Sequence, residues 1–511
     1  MDRRTDTLHT RFLRKLAFGL AVLAILIPGV AAAAPARSML RQGEPSQPAR
    51  NAGELARAIA AALKTDPAWQ APIRGSVTLP ETGADILRGQ QLAPARQARI
   101  TWRSSNPAVI SDVDRKTKDG IVAKGAVTRG SEDVDVRLTA AVHVPGAAIL
   151  AVPIDVTVLA KPAHPAKNEA YLFAYFPDDS ADGEKIRFAI SEGNNALQWK
   201  TLNDARPVLE SSLGTLGLRD PFIMRSAEGD RFFLMATDLS AARTGWSDAT
   251  RKGSRYLEIW ESVDLVNWGN QRHVEVNLPN AGMTWAPEAM YDASIDAYVV
   301  YWTSQLFKDD ARRQPDGNGP QILMSTTRDF RTFSTPQPWF KSADLPALVR
   351  DRGMIDTTVL KEGDHFYRFT KVTEAKGCPS ADIIGQRSPS LRAAGASGSW
   401  RVVSRCIGRT AGTPEVEGPS IFRANDGDTS GYKYYLCVDH YSGIGYIPLG
   451  TNALEDDIKW TRIQDARLPP RPRHGSVLSI TAEERDALVA KWGNSSDRPR
   501  KFQGGIGIAD H

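Results

Sequence analysis

The sequence predicts an all-β protein whose larger part is a ring of repeated antiparallel sheets. A hairpin pattern occurs four times: an acidic residue opens an apolar strand, a polar turn follows, and an aromatic-rich strand ends on a polar residue. Steps of 68, 68 and 61 residues separate the opening acids, Asp220, Glu288, Asp356 and Glu417. Steps of 66, 67 and 68 residues separate the closing residues, Asp238, Ser304, Lys371 and Asp439. Such a period, with several short strands in each repeat, indicates sheets arranged radially around an axis.

The repeated hairpin also predicts where function lies. Because the two strands of a hairpin run antiparallel, the opening acid and the closing polar residue lie at the same end of each unit. Acids from four units then converge at one mouth of the ring. Like charges raise one another's pKa, so this convergence indicates chemistry rather than stability.

The 511 residues exceed one ordinary core and predict two domains after a processed leader. Residues 1–34 have the order of a signal peptide: basic residues, an apolar run at 16–30 and small residues at 31–34. A membrane anchor is the alternative, but the run is short and contains Gly19 and Pro28. We therefore expect a secreted or periplasmic protein without a stable membrane anchor.

Charge adds no sign of a nucleic-acid partner. The formal net charge is +5, and the leader holds five Lys or Arg and two Asp, so +2 remains after its removal. The basic character therefore belongs largely to the leader.

The segments after the leader follow from composition and patterning. Residues 35–50 read as a linker, 51–160 as a β-sandwich of short alternating strands after a helix at 52–64, and 161–168 as a Pro-rich linker. Within 51–160, the first strand is predicted at 76–80. The motif Ile100-Thr-Trp-Arg-Ser-Ser-Asn-Pro resembles the atrophied bacterial immunoglobulin-like modules of secreted glycosidases. Such a module either has a sugar-binding or wall-spacing role or only packs against its neighbour.

The repeated sheets are expected over 169–480. Two strands near 171–176 and 185–191, with a C-terminal strand at 475–480, complete a fifth sheet and close the ring, which removes exposed edges. Thr481 then caps a helix, and the tail from Ser495 is predicted to be mobile, so 481–511 forms a C-terminal helix and tail.

Three cysteines lie in the second half of the chain. In an exported protein Cys378 and Cys406 could pair, whereas Cys437 lies within a strand and reads as a buried thiol. No zinc-ligand spacing is present.

Five short motifs carry a second, more specific resemblance: Arg219-Asp-Pro, Trp285-Ala-Pro-Glu, Met354-Ile-Asp, Glu417-Gly-Pro and Arg473-His-Gly-Ser. In this order they resemble glycoside hydrolase family 43, a family of five-bladed β-propellers. The resemblance implies an inverting glycosidase without an organic cofactor, acting on arabinose- or xylose-containing plant polysaccharides. It assigns Asp220 as general base, Glu417 as general acid, and Asp356 as the carboxylate that holds and tunes Glu417.

The residues themselves agree with this division. An inverting glycosidase needs an ionised base and a protonated acid on opposite sides of the sugar, and a neighbouring carboxylate can raise the pKa of the acid. Two of the three acids also have a plain alternative. Asp220 could initiate a turn before proline, and Glu417 could be a solvated loop residue. Asp356 lies in an apolar strand, where an unpaired carboxylate is expensive.

Five further residues are candidates for contact with substrate. Glu288 could fix a sugar hydroxyl, and Trp285 could face a sugar ring or belong to the core. His474 could bind substrate or a structural calcium ion, as the resemblance implies, or be a hydrogen-bonded structural residue. Lys371 and Asp439 could contact substrate or form salt bridges between sheets.

The predicted function is removal of terminal α-L-arabinofuranosyl or β-D-xylosyl residues from a polysaccharide. Alternatives are an exo-β-1,3-galactosidase or endo-arabinanase on the same fold, and a sugar-binding propeller without catalysis. A lectin gives no reason to keep the three acids together.

Overall fold

The computed structural model of the chain describes residues 47–87, 92–162, 167–345, 353–373, 377–378 and 380–495. The predicted signal peptide, most of the first predicted linker, residues 163–166 of the second linker and the tail after Ser495 lie outside these residues. From Pro48 onward the described residues belong to a single unit.

The N-terminal region combines helices with a small sheet. Its helices are α1 (Gln47–Thr65), α2 (Gly83–Ile86) and α3 (Leu92–Gln97). Its strands are β1 (Arg99–Ser104), β2 (Arg115–Thr117), β3 (Gly120–Val122), β4 (Val134–His143) and β5 (Leu150–Val158). Strands β1, β4 and β5 form one antiparallel sheet in the order β1-β4-β5, and β2 pairs with β3. Alternate residues of β4 and β5 are buried, as the period-2 pattern predicts.

Helix α1 begins earlier than the sequence analysis placed it, at Gln47, inside the stretch assigned as linker. Its residues Ile59 and Leu63 are fully buried against the apolar face of the β1-β4-β5 sheet. The strand expected at 76–80 is not formed, although Pro80 accepts a 2.7 Å hydrogen bond from the Trp102 indole. The immunoglobulin-like assignment stays a prediction.

Five four-stranded antiparallel sheets follow, and each is called a blade below. Blade 1 comprises β9 (Leu218–Arg225), β10 (Phe232–Asp238), β11 (Tyr256–Ser262) and β12 (Arg272–Glu275). Blade 2 comprises β13 (Trp285–Asp292), β14 (Ala297–Phe307), β15 (Pro315–Thr327) and β16 (Gln337–Phe340). Blade 3 comprises β17 (Met354–Glu362), β18 (His365–Val372), β19 (Asp382–Ser388) and β20 (Arg401–Ser404). Blade 4 comprises β21 (Glu417–Arg423), β22 (Tyr434–His440), β23 (Gly445–Thr451) and β24 (Thr461–Arg462).

Blade 5 joins the two ends of this region. Strand β25 (Ser476–Thr481) pairs with β6 (Asn168–Tyr175), which continues into β7 (Arg187–Ser191) and β8 (Trp199–Thr201). The expected closure of the ring by a C-terminal strand is therefore confirmed, with β8 as an additional strand. The chain is an all-β, five-bladed β-propeller preceded by the smaller N-terminal region.

A β-bulge interrupts the first hairpin of blades 1 to 4 at the same place. Four residues have left-handed backbone there, with φ between 47° and 51°: Asp220, Ala286, Asp356 and Gly418. The residues paired across each hairpin at the bulge are Arg219 with Thr237, Trp285 with Thr303, Ile355 with Lys371, and Glu417 with Asp439. The alignment of the repeats predicted from the acids was therefore wrong in blade 2, where Ala286, and not Glu288, is equivalent to Asp220. The predicted closing residues Asp238 and Ser304 each lie one residue after Thr237 and Thr303, which pair across the bulge.

Hydrogen bonds at these bulges join successive blades. Thr237 Oγ1 of blade 1 accepts the Ala286 N–H of blade 2 at 2.8 Å. Thr303 Oγ1 of blade 2 accepts the Asp356 N–H of blade 3 at 2.9 Å. A bulge re-aims the residue it contains, so these bonds hold the re-aimed backbone in register around the ring.

The N-terminal region packs directly on blades 1 and 2. Arg129 Nη2 lies 2.8 Å from Asp230 Oδ2 in the β9–β10 turn. The buried guanidinium of Arg328 donates to the carbonyl oxygens of Ala123 at 3.0 Å and Lys124 at 2.7 Å. Ion pairs and hydrogen bonds therefore join this region to blades 1 and 2.

The remaining α-helices of the described residues are α4 (Ala241–Thr244), α5 (Ile407–Thr410) and α6 (Ala482–Trp492). Thr481 caps α6, as predicted, and forms a capping box with Glu484. Cys378 and Cys406 form a disulfide and Cys437 is a buried free thiol, which agrees with the expectations for all three. Among the helices of the described segments, none is long and apolar enough to cross a bilayer.

Candidate active site

The three predicted catalytic acids come from the first strands of blades 1, 3 and 4. Asp220 and Asp356 occupy the left-handed bulge positions of β9 and β17, whereas Glu417 lies one residue before the bulge glycine of β21. A Cβ atom at Gly418 would lie 2.7 Å from the ring of His474, so glycine is required for the chain to pass that close. The Gly418 N–H donates to Asp356 Oδ2 at 3.1 Å, which ties blade 4 to blade 3 beside Glu417.

Asp220 is held as a carboxylate. Thr237 donates to its Oδ2 at 2.8 Å, and His474 Nδ1 lies 3.4 Å from its Oδ1. Burial acts to raise the pKa of Asp220, but the hydrogen bond and charge of His474, with the charge of Arg219, bring it below its usual value. Asp220 is therefore ionised throughout the neutral range.

His474 is the cation at the centre of this cluster. Burial acts to lower its pKa, but the hydrogen bond and charge of Asp220, and then the charge of Asp356, raise it to about 9. A protonated imidazole donates from both nitrogens. In the described part of the chain, the group of three possible metal-ligating side chains whose ligand atoms lie within 4.8 Å of one another is Asp238, Glu258 and His273. The assignment of His474 as a calcium or substrate ligand stays a prediction.

Glu417 has the opposite character from Asp220. Burial, followed by the charges of Asp356 and Asp439, raises the pKa of Glu417 to about 8, against the opposing charges of Lys371 and Arg473. The carboxyl group therefore carries a proton at neutral pH. Its side chain keeps 27% of its surface exposed, so the proton is accessible to a ligand.

Asp356 connects the other two acids electrostatically. Burial raises its pKa to about 6, the cation of His474 opposes that rise, and the charge of Asp220 adds to it. Its charge in turn raises the pKa of Glu417. The charge of Asp220 thus acts on Asp356, and the charge of Asp356 acts on Glu417, which is the effect expected of a carboxylate that tunes a neighbouring proton donor.

Glu288 lies three residues further along β13 than Trp285 and is buried. It accepts a 3.1 Å hydrogen bond from Tyr301 and a further one from Thr358. Burial raises the pKa of Glu288 to about 8, although the charge of His474 opposes this. The structure thus gives its carboxyl group protein partners in blades 2 and 3.

Lys371 and Asp439 lie between blades. The Lys371 side chain, only 4% exposed, donates from Nζ to the Val416 carbonyl at 2.5 Å. Asp439 Oδ2 accepts from Arg473 Nε at 2.7 Å and from the His474 N–H at 3.3 Å. Both side chains therefore make contacts between blades, and Lys371 Nζ also lies 3.6 Å from a carboxylate oxygen of Glu415. Contact of Lys371 or Asp439 with substrate stays a prediction.

The structure adds residues to the site that the sequence analysis did not assign. Arg473 Nη2 lies 3.8 Å from Glu417 Oε1. The sequence motif around Arg473 was recognised, but its contact with Glu417 was not predicted. Trp246 follows α4 and contacts Trp285 edge to face, with ring centroids 6.2 Å apart. Arg219, beside Asp220, stacks on Trp246 at 5.0 Å. A tryptophan in a polar loop was the only sequence signal for Trp246.

An ionised carboxylate and a protonated carboxyl group, linked through a third acid at the mouth of a propeller, form an acid–base site for hydrolysis of a glycosidic bond. The class of protein that this fold and site define is a glycoside hydrolase.

Comparison with known proteins agrees with that class. The family model for the glycosyl hydrolase 43-related family, described as "Probable glycosyl hydrolase domain", matches residues 166–486, more than half of the chain. The chain belongs to this family. It is also 34% identical over 397 residues to an alpha-L-arabinofuranosidase of Bifidobacterium longum subsp. longum, a match that covers 69% of this chain and 35% of that protein. The chain thus spans about a third of that relative's length.

Solved structures of similar proteins are more distant. An alpha-L-arabinanase of Cellvibrio cellulosa, complexed with arabinohexaose, has a TM-score of 0.38 and 11% identity, over 59% of this chain and 96% of that one. The alpha-L-arabinofuranosidase Arb93A of Fusarium graminearum has a TM-score of 0.36 and 14% identity, over 76% of this chain and 84% of that one. At this distance these likenesses do not bear on substrate.

Proposed function

We propose that this protein is an inverting exo-glycosidase that releases terminal α-L-arabinofuranosyl residues from plant polysaccharide side chains. The observation that carries the proposal is the cluster of three acids from three blades, in which Asp220 lies 3.4 Å from His474 and Asp356 accepts the N–H of Gly418, next to Glu417. These surroundings lower the pKa of Asp220 and raise that of Glu417. The choice of arabinose is supported by the resemblance to the Bifidobacterium longum alpha-L-arabinofuranosidase. A terminal β-D-xylosyl residue is the second substrate to be tested.

In the proposed reaction Asp220 accepts the proton of an attacking water as the water's oxygen bonds to the anomeric carbon. Glu417 donates its proton to the glycosidic oxygen as the bond to that oxygen breaks. Asp356 favours the protonated form of Glu417 before the reaction. His474 keeps Asp220 ionised through their 3.4 Å contact, and Thr237 orients the same carboxylate. No organic cofactor takes part in this sequence of steps.

Maturation outside the cytoplasm is part of the same proposal. The disulfide between Cys378 and Cys406 supports passage through an oxidising compartment, where a polysaccharide substrate is also accessible.

Nitrophenyl glycosides test the activity. The intact protein should hydrolyse the α-L-arabinofuranoside, and Asp220→Asn should lower kcat for it by about 10²–10⁴-fold. Glu417→Gln should lower kcat by about the same factor with arabinobiose, whose leaving sugar needs a proton, and by less with the nitrophenyl substrate. Asp465→Asn, an equal change in an exposed loop, is the matched control and should leave the rate unaltered. Turnover of the β-xyloside alone would replace arabinose as the substrate. Unaltered rates in both acid variants would overturn the mechanism, and binding of sugar without turnover would identify a lectin.

Product stereochemistry tests inversion separately. Proton NMR during the first minutes of hydrolysis should show the released sugar with the anomeric configuration opposite to that of the substrate. Release with the same configuration would exclude direct attack by water.

A further inference from the structure

A cleft lies between the N-terminal region and the outer edge of blade 1. It encloses about 520 Å³, within the range of about 300–1,000 Å³ that small-molecule sites occupy. One wall is formed by the end of α1, the residues that follow it and the end of α2. The other wall is formed by β12 and by the connection between β15 and β16. Strand β12 is the outermost strand of blade 1, and among the described residues no further strand pairs with it.

The cleft is separate from the cluster of catalytic acids. Its blade 2 residue, Arg331, follows the end of β15, where Thr327 pairs with Tyr298 near the start of β14. The bulge of blade 2 lies at Thr303, toward the other end of the same strand. A ligand in the cleft therefore occupies a second site, at the outer edge of the propeller.

The two walls of the cleft differ in chemistry. The wall from the N-terminal region presents partly exposed apolar side chains, namely Ala62, Pro67, Ile86 and Leu87. The facing wall presents the guanidinium groups of Arg272 and Arg331. The acid among the lining residues is Asp66, whose Oδ1 accepts the Ala68 N–H at 2.8 Å. This combination suits a ligand with an apolar face and an anionic group.

The two arginines of the cleft share one carboxylate with a third arginine. Glu261 Oε2 lies 3.1 Å from Arg272 Nη1 and 3.9 Å from Arg331 Nη2, and Glu261 Oε1 lies 3.6 Å from Arg231 Nη1. Burial, followed by the charge of Arg331, lowers the pKa of Arg272 to about 10, so the two guanidinium groups repel each other. The Arg331 side chain is 31% exposed and its contact with Glu261 is long. Arg331 is therefore the cation that a ligand in the cleft can reach.

Other protein groups do not complete the pairing of these arginines. Among the described residues, Arg272 Nε and Nη2 have no hydrogen-bond partner, and an unpaired buried N–H costs free energy. The carboxylate of Asp329 accepts the Arg331 backbone N–H at 2.8 Å. Glu228 lies 3.7 Å from Arg231. Neither of these acids lines the cleft.

We propose that this cleft binds a sugar residue that carries a carboxylate, with the carboxylate against Arg331 and Arg272 and the sugar ring against the apolar wall. A guanidinium group recognises a carboxylate through two parallel hydrogen bonds, and the faces of a pyranose ring present apolar C–H groups. A free phosphate would leave the apolar wall uncovered. The site goes beyond the proposed function, because it would hold an acidic polysaccharide while its side chains are cleaved elsewhere on the protein. Of the roles considered for the N-terminal region, it assigns sugar binding.

Calorimetry with the full chain tests the binding. The probes are trigalacturonate, a xylobiose bearing one glucuronate, and galactotriose as a neutral sugar. Wild type should bind at least one of the acidic sugars and not galactotriose. Arg331→Gln should weaken that Kd by about tenfold, whereas Arg331→Lys keeps the charge and should lose about threefold. Arg467→Gln, an equal change at a side chain that is 69% exposed, is the matched control and should bind like wild type.

Three results would overturn the proposal. They are no binding of either acidic sugar, equal binding of galactotriose, and an unaltered Kd in Arg331→Gln. Inorganic phosphate should compete only at much higher concentration than the acidic sugar. Competition at the same concentration would identify a general anion site and overturn the assignment to a sugar.

The contribution to turnover rests on the proposed function and is measured separately. The rate of arabinose release from arabinose-substituted pectin is divided by kcat/KM for nitrophenyl α-L-arabinofuranoside. This ratio should fall about fivefold in Arg331→Gln, and an unaltered ratio would contradict a role in holding the polysaccharide. If wild type hydrolyses neither substrate, the proposed function fails, whereas calorimetry still decides whether the cleft binds an acidic sugar.

Discussion

Replacing Asp439 with Asn should move the alkaline limb of the pH–rate profile to lower pH. Asp439 Oδ2 pairs with Arg473 Nε at 2.7 Å, and the same guanidinium lies 3.8 Å from Glu417 Oε1. Asp439 therefore raises the pKa of Glu417 in two ways: by its own charge and by neutralising Arg473. Asparagine keeps the shape but removes both effects.

The size of the shift follows from the geometry. An unneutralised opposite charge within about 4–6 Å lowers the pKa of a carboxyl group by about 1–3 units. The pKa of Glu417 in wild type is about 8. A fall of one unit lowers the protonated fraction at pH 8 from about one half to about one tenth. Because the acid must be protonated to act, activity at pH 8 should fall about fivefold or more, with little change near pH 5.

The assay is kcat/KM for arabinobiose, whose leaving sugar needs a proton, from pH 4 to 10, which reports groups of the free enzyme. The double variant Asp439→Asn with Arg473→Met removes the whole pair, and its alkaline limb should return toward the wild-type position. Melting temperatures separate titration from unfolding, since an unpaired buried charge also destabilises the fold. An alkaline limb that stays in place in Asp439→Asn, or moves upward, would refute the reasoning.

Three substitutions test other features of the structure. The pKa of Glu288 is about 8 in the folded state, above the ordinary 4.5, so the native state binds more protons than the unfolded state between these pH values. The wild-type protein therefore loses stability as pH rises from 4.5 to 8. Glu288→Gln should melt at a higher temperature than wild type at pH 9 but not at pH 4. Gly418→Ala places a Cβ atom 2.7 Å from His474 and should lower the free energy of unfolding by about 1–3 kcal/mol in urea titrations. Cys378→Ser should cost about 2–4 kcal/mol in the same titration, and reductant should bring wild type to the level of the variant.

Much of the propeller could be predicted because the sequence pattern of a β-hairpin repeats along the chain. The alignment of the repeats, that is, which residue of each blade is equivalent to Asp220, could not be predicted. Each bulge inserts a residue, and its occupant is an acid in blades 1 and 3 but Ala286 in blade 2 and Gly418 in blade 4. Matching acid to acid therefore aligned Glu288 with Asp220, two residues beyond the true equivalent. The left-handed conformation, rather than the residue type, is what repeats.

The acids of the site could be predicted, but their partners could not. Asp220 and Glu417 stand in recognisable motifs at the start of strands. Arg473 and His474 act on them from more than 50 residues away in sequence, and only the closed ring brings the groups together. Trp246 lies in a connection without periodic pattern, where the sequence records neither exposure nor orientation.

The division of labour between Asp220 and Glu417 is tested most directly by leaving-group dependence. Aryl α-L-arabinofuranosides with phenols of different acidity should be compared in the two acid variants. Glu417→Gln should retain most of its rate with the most acidic phenol, which departs without a proton, and lose it progressively as the phenol becomes less acidic. Asp220→Asn should lose the same factor with every phenol. Equal losses in Glu417→Gln across the series would contradict its role as the proton donor.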